Sequence, residues 1–217
     1  TVRWSDGNTQ TSRSGLAPGN YEVVITDANG CIVRSNVIIT QPAPILVVET
    51  IKNVSCFGGS DGSISLNISG GNGSFTVSWT NKVTGATVGT GNVINNLPEG
   101  IYVATVRDPF GCESIREYTI TQPAEPLTIQ PIISHVRCAG ENNGNIDLIV
   151  SGGTGPYTYQ WSSGETTRAI NNKAGGTYTV NVRDSQGCIV SQTFEIEEPL
   201  PIVVTMESIQ NVSCKFG

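Results

Sequence analysis

Cysteine is the residue type in this chain best placed to do chemistry, and the spacing of the six copies limits what that chemistry is. They alternate between two contexts. Cys31, Cys112 and Cys188 each follow a Gly, whereas Cys56, Cys138 and Cys214 each close a Val-x-Cys. No two lie within four positions of each other, as a zinc ligand set would require. His135 is the only His and stands three residues before Cys138, and one Cys with one His does not complete a tetrahedral site. Cysteines at matching places in successive stretches read instead as disulfides, formed in an oxidising compartment outside the cytoplasm. With a single His and no phosphate-binding loop, nothing supplies a base beside a nucleophile, so the expectation is not an enzyme, with no cofactor and no metal. Asp27, Asp108 and Asp184, with Asp61, fall at turns without the alternating oxygen ligands that calcium needs, and Asx-turn capping accounts for them.

The cysteines are positioned by a repeat. Trp4, Trp79 and Trp161 stand in VRWSDG, VSWTNK and YQWSSG. Each is followed by a related passage: LAPGNYEVVITDANGC (16–31), LPEGIYVATVRDPFGC (97–112) and KAGGTYTVNVRDSQGC (173–188). A Pro-containing hinge comes next, at 39–44, 120–126 and 196–201, and then the Val-x-Cys. Cys56 and Cys138 are 82 residues apart, Cys138 and Cys214 76. Self-similarity at such a period marks an array. It divides the chain into the C-terminal part of a truncated repeat (1–42), two complete repeats (43–123 and 124–199) and the first strand of a further one (200–217). The incomplete outer repeats predict a segment of a longer protein.

Within a repeat the apolar residues alternate. Tyr102, Ala104 and Val106 share one face, as do Tyr21, Val23, Ile25 and Tyr178, Val180, Val182. Period two with one dry face predicts half-buried antiparallel strands, and turn signals about every ten residues predict a sandwich of short ones. In the first complete repeat the strands are A at 45–54, B at 63–69, C at 74–80, weak D and E at 86–95, F at 101–107 and G at 113–121. Leu97-x-x-Gly100-x-Tyr102 has the form of a tyrosine corner, matched by Leu16 to Tyr21. Lys173 replaces the Leu before Tyr178, predicting a looser corner there. Trp4, Trp79, Trp161, Tyr21, Tyr102 and Tyr178 are the expected core aromatics. Tyr157, Tyr159 and Trp161 alternate on strand C, so the core explains them better than a sugar-binding platform does. The fold class is all-β, with tandem Ig-like or PKD-like sandwiches in an elongated array and no antibody-type bridge between strands B and F.

Cys-x-Gly-x-x-Asp/Asn-Gly (56–62, 138–144), GGTGPYTYQW (152–161) and GTYTV...GC (176–188) together resemble the SprB-type repeat of very large surface adhesins of gliding and other Bacteroidota. The resemblance implies surface display, export by that phylum's own route, and adhesion or gliding. It implies no particular ligand. The first complete repeat departs from it with Ser74-Phe75-Thr76 in place of Pro-Tyr-Thr and a longer stretch at 81–91.

Three pairings of the cysteines are open. In an Ig-like order Cys56 sits at one pole, after strand A, and Cys112 at the other, after strand F. A strand of eight residues spans roughly 27 Å, whereas bridged Cα atoms lie about 4.4–6.8 Å apart. End-to-end stacking favours the inter-repeat bond Cys56–Cys188. The intra-repeat pairs Cys56–Cys112 and Cys138–Cys188 hold if the strand order differs. Sequential pairing (31–56, 112–138, 188–214) requires opposite poles of successive repeats to meet.

Only 14% of residues are charged, the net charge is −6 and no basic cluster exists, which argues against nucleic acid or anionic membrane as a partner. No apolar run reaches the length of a membrane span. The expected partners are neighbouring repeats, with other filament chains or surface glycans as further candidates. The expected role is an extracellular stalk or filament segment of a cell-surface adhesin. The alternatives are a polysaccharide- or protein-binding module acting through loops such as 58–62 or 81–91, and an accessory region of a secreted enzyme.

Overall fold

The computed structural model describes residues 1–208, and Val212 and Cys214 lie outside them. Sixteen strands and no helix make up the described residues.

Strands β1 (Val2–Trp4), β2 (Gly19–Thr26) and β3 (Ile32–Ile39) form one antiparallel sheet. Next come β4 (Leu46–Lys52), β5 (Gly62–Ser69), β6 (Thr76–Asn81), β7 (Thr87–Thr90), β8 (Val93–Leu97), β9 (Gly100–Arg107) and β10 (Glu113–Ile120). They divide into sheets β4-β5-β8 and β10-β9-β6-β7, the A-B-E and G-F-C-C′ layers of an Ig-like sandwich. The following stretch repeats the plan with β11 (Thr128–Ser134), β12 (Gly144–Ser151), β13 (Thr158–Trp161), β14 (Ile170–Lys173), β15 (Gly176–Arg183) and β16 (Ile189–Ile196), in sheets β11-β12-β14 and β13-β15-β16.

One strand assignment changes. Residues 87–90 pair with β6, Ser78 opposite Thr90, so this strand is C′ rather than D. The hairpin between them closes through Asn81 N–H on the Ala86 carbonyl and Gly85 N–H on the Asn81 carbonyl. From Trp161 the chain reaches Ile170 directly, and β13 keeps an open edge.

Each sandwich encloses its own core. Trp79, Tyr102, Ala104, Val106, Ile64 and Ile120 lead one; Trp161, Val180, Val182, Ile146, Leu148 and Ile196 lead the other. Both indoles are buried, yet their N–H groups must be satisfied. Trp79 Nε1 donates to the Gly91 carbonyl at 2.9 Å and Trp161 Nε1 to that of Thr167 at 2.9 Å. Trp4 Nε1 donates to the Gln10 carbonyl, but Trp4 and Tyr21 are only half-buried, because no second sheet packs on β2 among the described residues. Tyr157 and Tyr159 are half-buried against the second core, and Trp161 is fully inside it.

The tyrosine-corner bond forms three times, from Tyr21 to Ala17, Tyr102 to Pro98 and Tyr178 to Ala174, at 2.9, 3.0 and 3.0 Å. Lys173 does not loosen the Tyr178 bond. Its ammonium pairs with Glu165 instead and pulls that carboxyl's pKa down to about 2. Tyr178 is nonetheless less buried than Tyr102.

Candidate functional site: the junction between repeats

The hinge between the sandwiches is held at both ends. Val54 N–H donates to the Thr121 carbonyl at 2.9 Å, tying the end of strand A to the end of strand G. Four residues on, the Glu125 carbonyl accepts from Gly153 N–H at 3.0 Å, in the B–C turn of the next sandwich. That turn needs its glycines. Gly152 has φ +71°, and a Cβ there would lie 1.9 Å from the Pro126 carbonyl oxygen. Gly70, at φ +80°, meets the Pro44 carbonyl in the same way at 2.0 Å. The Ser-Gly-Gly turn thus receives the prolines of the preceding hinge.

The loop after strand A is shaped by one carboxylate. Asp61 Oδ1 accepts from Ser55 N–H at 2.8 Å, and Oδ2 from the Ser55 hydroxyl at 2.6 Å and Lys52 Nζ at 2.9 Å. Donation by the Ser55 hydroxyl, then by Lys52, holds the Asp61 carboxyl far below its ordinary pKa. Gly62 follows because a Cβ would stand 2.8 Å from the Leu97 carbonyl oxygen and 2.9 Å from Ile120 Cγ2. These contacts account for the Asp-Gly of the motif and fix Cys56 between them.

The opposite pole is organised by an acid that caps its turn, as expected of Asp108 and Asp184, and that is also buried. Asp108 and Asp184 occupy turns but are only 6% and 4% exposed. Asp184 Oδ1 accepts from the N–H groups of Gln186 (3.0 Å) and Cys188 (2.8 Å), and Oδ2 from Thr154 N–H (2.8 Å). Burial alone would raise its pKa; the three backbone donors outweigh burial and lower it. Asp108 repeats the arrangement with Phe110, Cys112 and Asn72, and its pKa is lowered by the same balance. The neighbouring Asp108 carboxylate pushes the pKa of the Cys112 thiol up.

These two poles meet. Cys56 is bonded to Cys188, with Cα atoms 5.7 Å apart and a sequence separation of 132. Beside the bond lies a cleft of about 370 Å³, lined by Lys52, Ser55, Gln122 and Pro123 of one sandwich and Thr154 and Gln186 of the next. The intra-repeat pairs Cys56–Cys112 and Cys138–Cys188 are not made, because their members stand at opposite ends of eight-residue strands. Nor are the sequential pairs Cys31–Cys56 and Cys112–Cys138; Cys214 lies outside the described residues. Cys31, Cys112 and Cys138 are exposed, unpaired thiols.

One string escapes the argument against an enzyme given above. Gly58-Gly59-Ser60-Asp61-Gly62 has the Gly-x-Ser-x-Gly spacing of a nucleophile elbow. That elbow depends on a strand-to-helix turn, whereas this string joins two antiparallel strands. His135 is not beside it: its Nδ1 accepts from Glu197 N–H in the other sandwich. The string belongs to the clamp around Cys56.

The SprB-repeat family model matches residues 48–84 and 132–166. Each match runs from strand A to just past the strand C Trp. No curated protein sequence matches the chain. Among solved structures, the chain is similar to the N-terminal eight Ig domains of Down Syndrome Cell Adhesion Molecule, with 15% identity, TM-score 0.36, and 88% of this chain and 31% of that one covered. Four N-terminal Ig domains of Dscam1 are similar at 14% identity and TM-score 0.32, over 91% of this chain and 64% of that one. The C-terminal 282-residue fragment of intimin, solved with the intimin-binding domain of its translocated receptor, is similar at 16% identity and TM-score 0.36, over 71% and 64%. The chain thus spans less than two thirds of the length of these structures.

Proposed function

We propose that this chain is a stalk segment of a large cell-surface adhesin, displayed outside the cell, whose repeats 43–123 and 124–199 supply reach and tensile stiffness in attachment or gliding. The observation that carries the reading is the junction. A covalent bond and a hinge hydrogen-bonded at Thr121 and Glu125 join the two sandwiches at separate points, and two attachments remove the free swing that a single linker leaves. Pro123 and Pro126 stiffen the hinge further by fixing φ. The SprB matches support surface display, and the disulfide supports an oxidising compartment.

Immunogold labelling of intact cells with antibody raised against residues 43–199 tests the location. Decoration of surface filaments without permeabilisation is expected, and labelling only after permeabilisation overturns the reading. Electron micrographs of the purified chain test stiffness: the angle between sandwiches spreads on reduction, and an equal spread with and without reductant refutes it. A second reading, binding of a glycan or partner protein, rests on the β6–β7 hairpin, whose Val83 is 84% exposed. Glycan-array binding abolished by Val83→Ser would favour it.

A further inference from the structure

We propose that Cys112 and Cys138 are two halves of the junction already seen at Cys56–Cys188, and that the resulting series of bonds carries tension past strands B to F of every repeat. Cys112 joins the Val-x-Cys of the repeat before, and Cys138 the Gly-Cys of the repeat after. The inference deepens the stalk reading and rests on it.

Cys138 stands in a copy of the Cys56 clamp. Val136 N–H donates to the Glu197 carbonyl at 3.0 Å, where Val54 donates to Thr121. Asn143 Oδ1 accepts from Arg137 N–H at 3.1 Å, where Asp61 accepts from Ser55. Glu198 Oε1 accepts from Gly140 N–H at 2.6 Å, where Gln122 accepts from Gly58 at 2.6 Å. The cleft beside Cys56 is lined partly by the next sandwich. The corresponding cleft at Cys138, about 350 Å³, is lined by Arg137, Ala139, Pro199, Leu200 and Ile202, with Leu200 91% exposed. The occupant that fits is a turn of the form Asp-x-x-Gly-Cys, the form whose Gln186 lines one side of the first cleft beside the bonded Cys188 and that this chain presents at 27–31, 108–112 and 184–188. Cys112 sits on such a turn, held by Asp108 as Cys188 is by Asp184, with Phe110 80% exposed beside it.

The sequence spacing supports a continuous path. From Gly-Cys to the following Val-x-Cys the distance is 25 residues (31 to 56), 26 (112 to 138) and 26 (188 to 214). From Val-x-Cys to the following Gly-Cys it is 56 (56 to 112) and 50 (138 to 188). The near-constant segments are strand G, the hinge and strand A; the variable ones are strands B to F. Tension arriving along β4 passes through Cys56 and Cys188 into β16 and leaves residues 57–187 slack. Segment 112–138 belongs to a second, interleaved path bonded to the outer repeats. Only the segments under tension need a fixed length.

Forming each bond removes two electrons and two protons from a pair of thiols. A disulfide-carrying thiol oxidoreductase of the extracytoplasmic compartment accepts them. One thiolate attacks the donor disulfide, the second thiolate displaces the donor from the mixed disulfide, and the donor leaves as a dithiol.

Single-molecule stretching of the 217-residue chain, held at its termini, tests the bypass. The shielded stretch amounts to about 450 Å of extended chain, from its 132-residue separation at roughly 3.4 Å per residue. The oxidised chain is expected to fall short of the reduced chain by that length. Cys56→Ser abolishes the shortfall and Cys112→Ser leaves it unchanged. Equal lengths with and without reductant, or a shortfall that shrinks in Cys112→Ser, overturn the proposal. The half-sites are tested on the full-length protein taken from cells and alkylated without reduction. Peptides bearing Cys112 and Cys138 should be disulfide-linked to Val-x-Cys and Gly-Cys peptides respectively; alkylated Cys112 or Cys138 overturns the series. Surface labelling is independent of both measurements, so failure of the stalk reading and failure of the bypass are distinguishable.

Discussion

Replacing Asp184 with Asn is isosteric and removes one charge, so its cost measures how far a single buried carboxylate builds the pole that carries Cys188. Asn retains one acceptor oxygen for Gln186 and Cys188 N–H, but those two bonds lose their charge assistance. Bonds to charged groups contribute about 1.5–3 kcal/mol and neutral ones about 0.5–1.5, so the change costs about 1 kcal/mol at each. The amide's NH₂ then faces Thr154 N–H, donor against donor, and a buried unsatisfied N–H costs a further ~1–3 kcal/mol. Reduced desolvation of a neutral group offsets part of this, leaving a net loss of about 3 kcal/mol. Asp27→Asn is the internal control. Asp27 is exposed and uses only Oδ1, on Asn29 and Cys31, so Asn preserves its contacts and the expected cost is below about 1 kcal/mol.

Hydrogen exchange of the β15 amides localises the loss of Asp184 to the second sandwich, and urea unfolding followed across pH measures it. The folded pKa of Asp184 lies below its unfolded value. Its contribution is therefore complete above the unfolded pKa of about 3.9 and disappears as pH falls through the folded value. The difference between wild type and Asp184→Asn should be largest near pH 7 and narrow below pH 4. A cost under about 1 kcal/mol, or a difference constant from pH 7 to pH 3, would refute the view that the three N–H donors hold the charged form.

Trp79→Ala should cost about 3–5 kcal/mol by urea unfolding, since the indole is fully buried, whereas half-buried Trp4 should lose much less. Gly152→Ala adds a Cβ against the Pro126 carbonyl at positive φ, and thermal unfolding should show a loss of about 3 kcal/mol from overpacking and left-handed strain together. Tyr102→Phe and Tyr178→Phe each remove one corner hydrogen bond, and both should cost about 1 kcal/mol despite the Leu97/Lys173 difference.

The strands were legible because each carries its own signature. Tyr102, Ala104 and Val106 alternate, and the face they define is the buried one. The C′ strand was not, because Thr87–Thr90 is short and mostly exposed, and its partner is decided by the hairpin at 81–86 rather than by its own pattern. The acids at 108 and 184 were legible as turn residues and not as buried ones. What buries them is the B–C loop, whose Asn72 and Thr154 lie 36 and 30 residues away. The hinge clasp left a readable trace, since Pro44 precedes Gly70 by the same 26 residues that separate Pro126 from Gly152.

The difference between the two sandwiches shows where length is free to change. In the first, Ile94 follows Trp79 at a separation of 15, and the chain between them builds C′; in the second, Ile170 follows Trp161 at a separation of nine. That insertion widens the edge of the β10-β9-β6-β7 sheet, its hairpin lying beside the start of β9, and the sandwiches with and without it both keep the clamp after strand A, the Ser-Gly-Gly clasp and the Asp-x-x-Gly-Cys turn. An insertion of the same size between Cys112 and Cys138 would displace the hinge that Thr121 and Glu125 anchor, and with it the approach of Cys188 to Cys56. Six residues added after Ala124 should therefore abolish the Cys56–Cys188 linkage in non-reducing peptide maps, whereas six added after Thr84 should leave it intact. A linkage indifferent to both insertions would mean that the poles find each other without the hinge, and that the near-constant spacing has another cause.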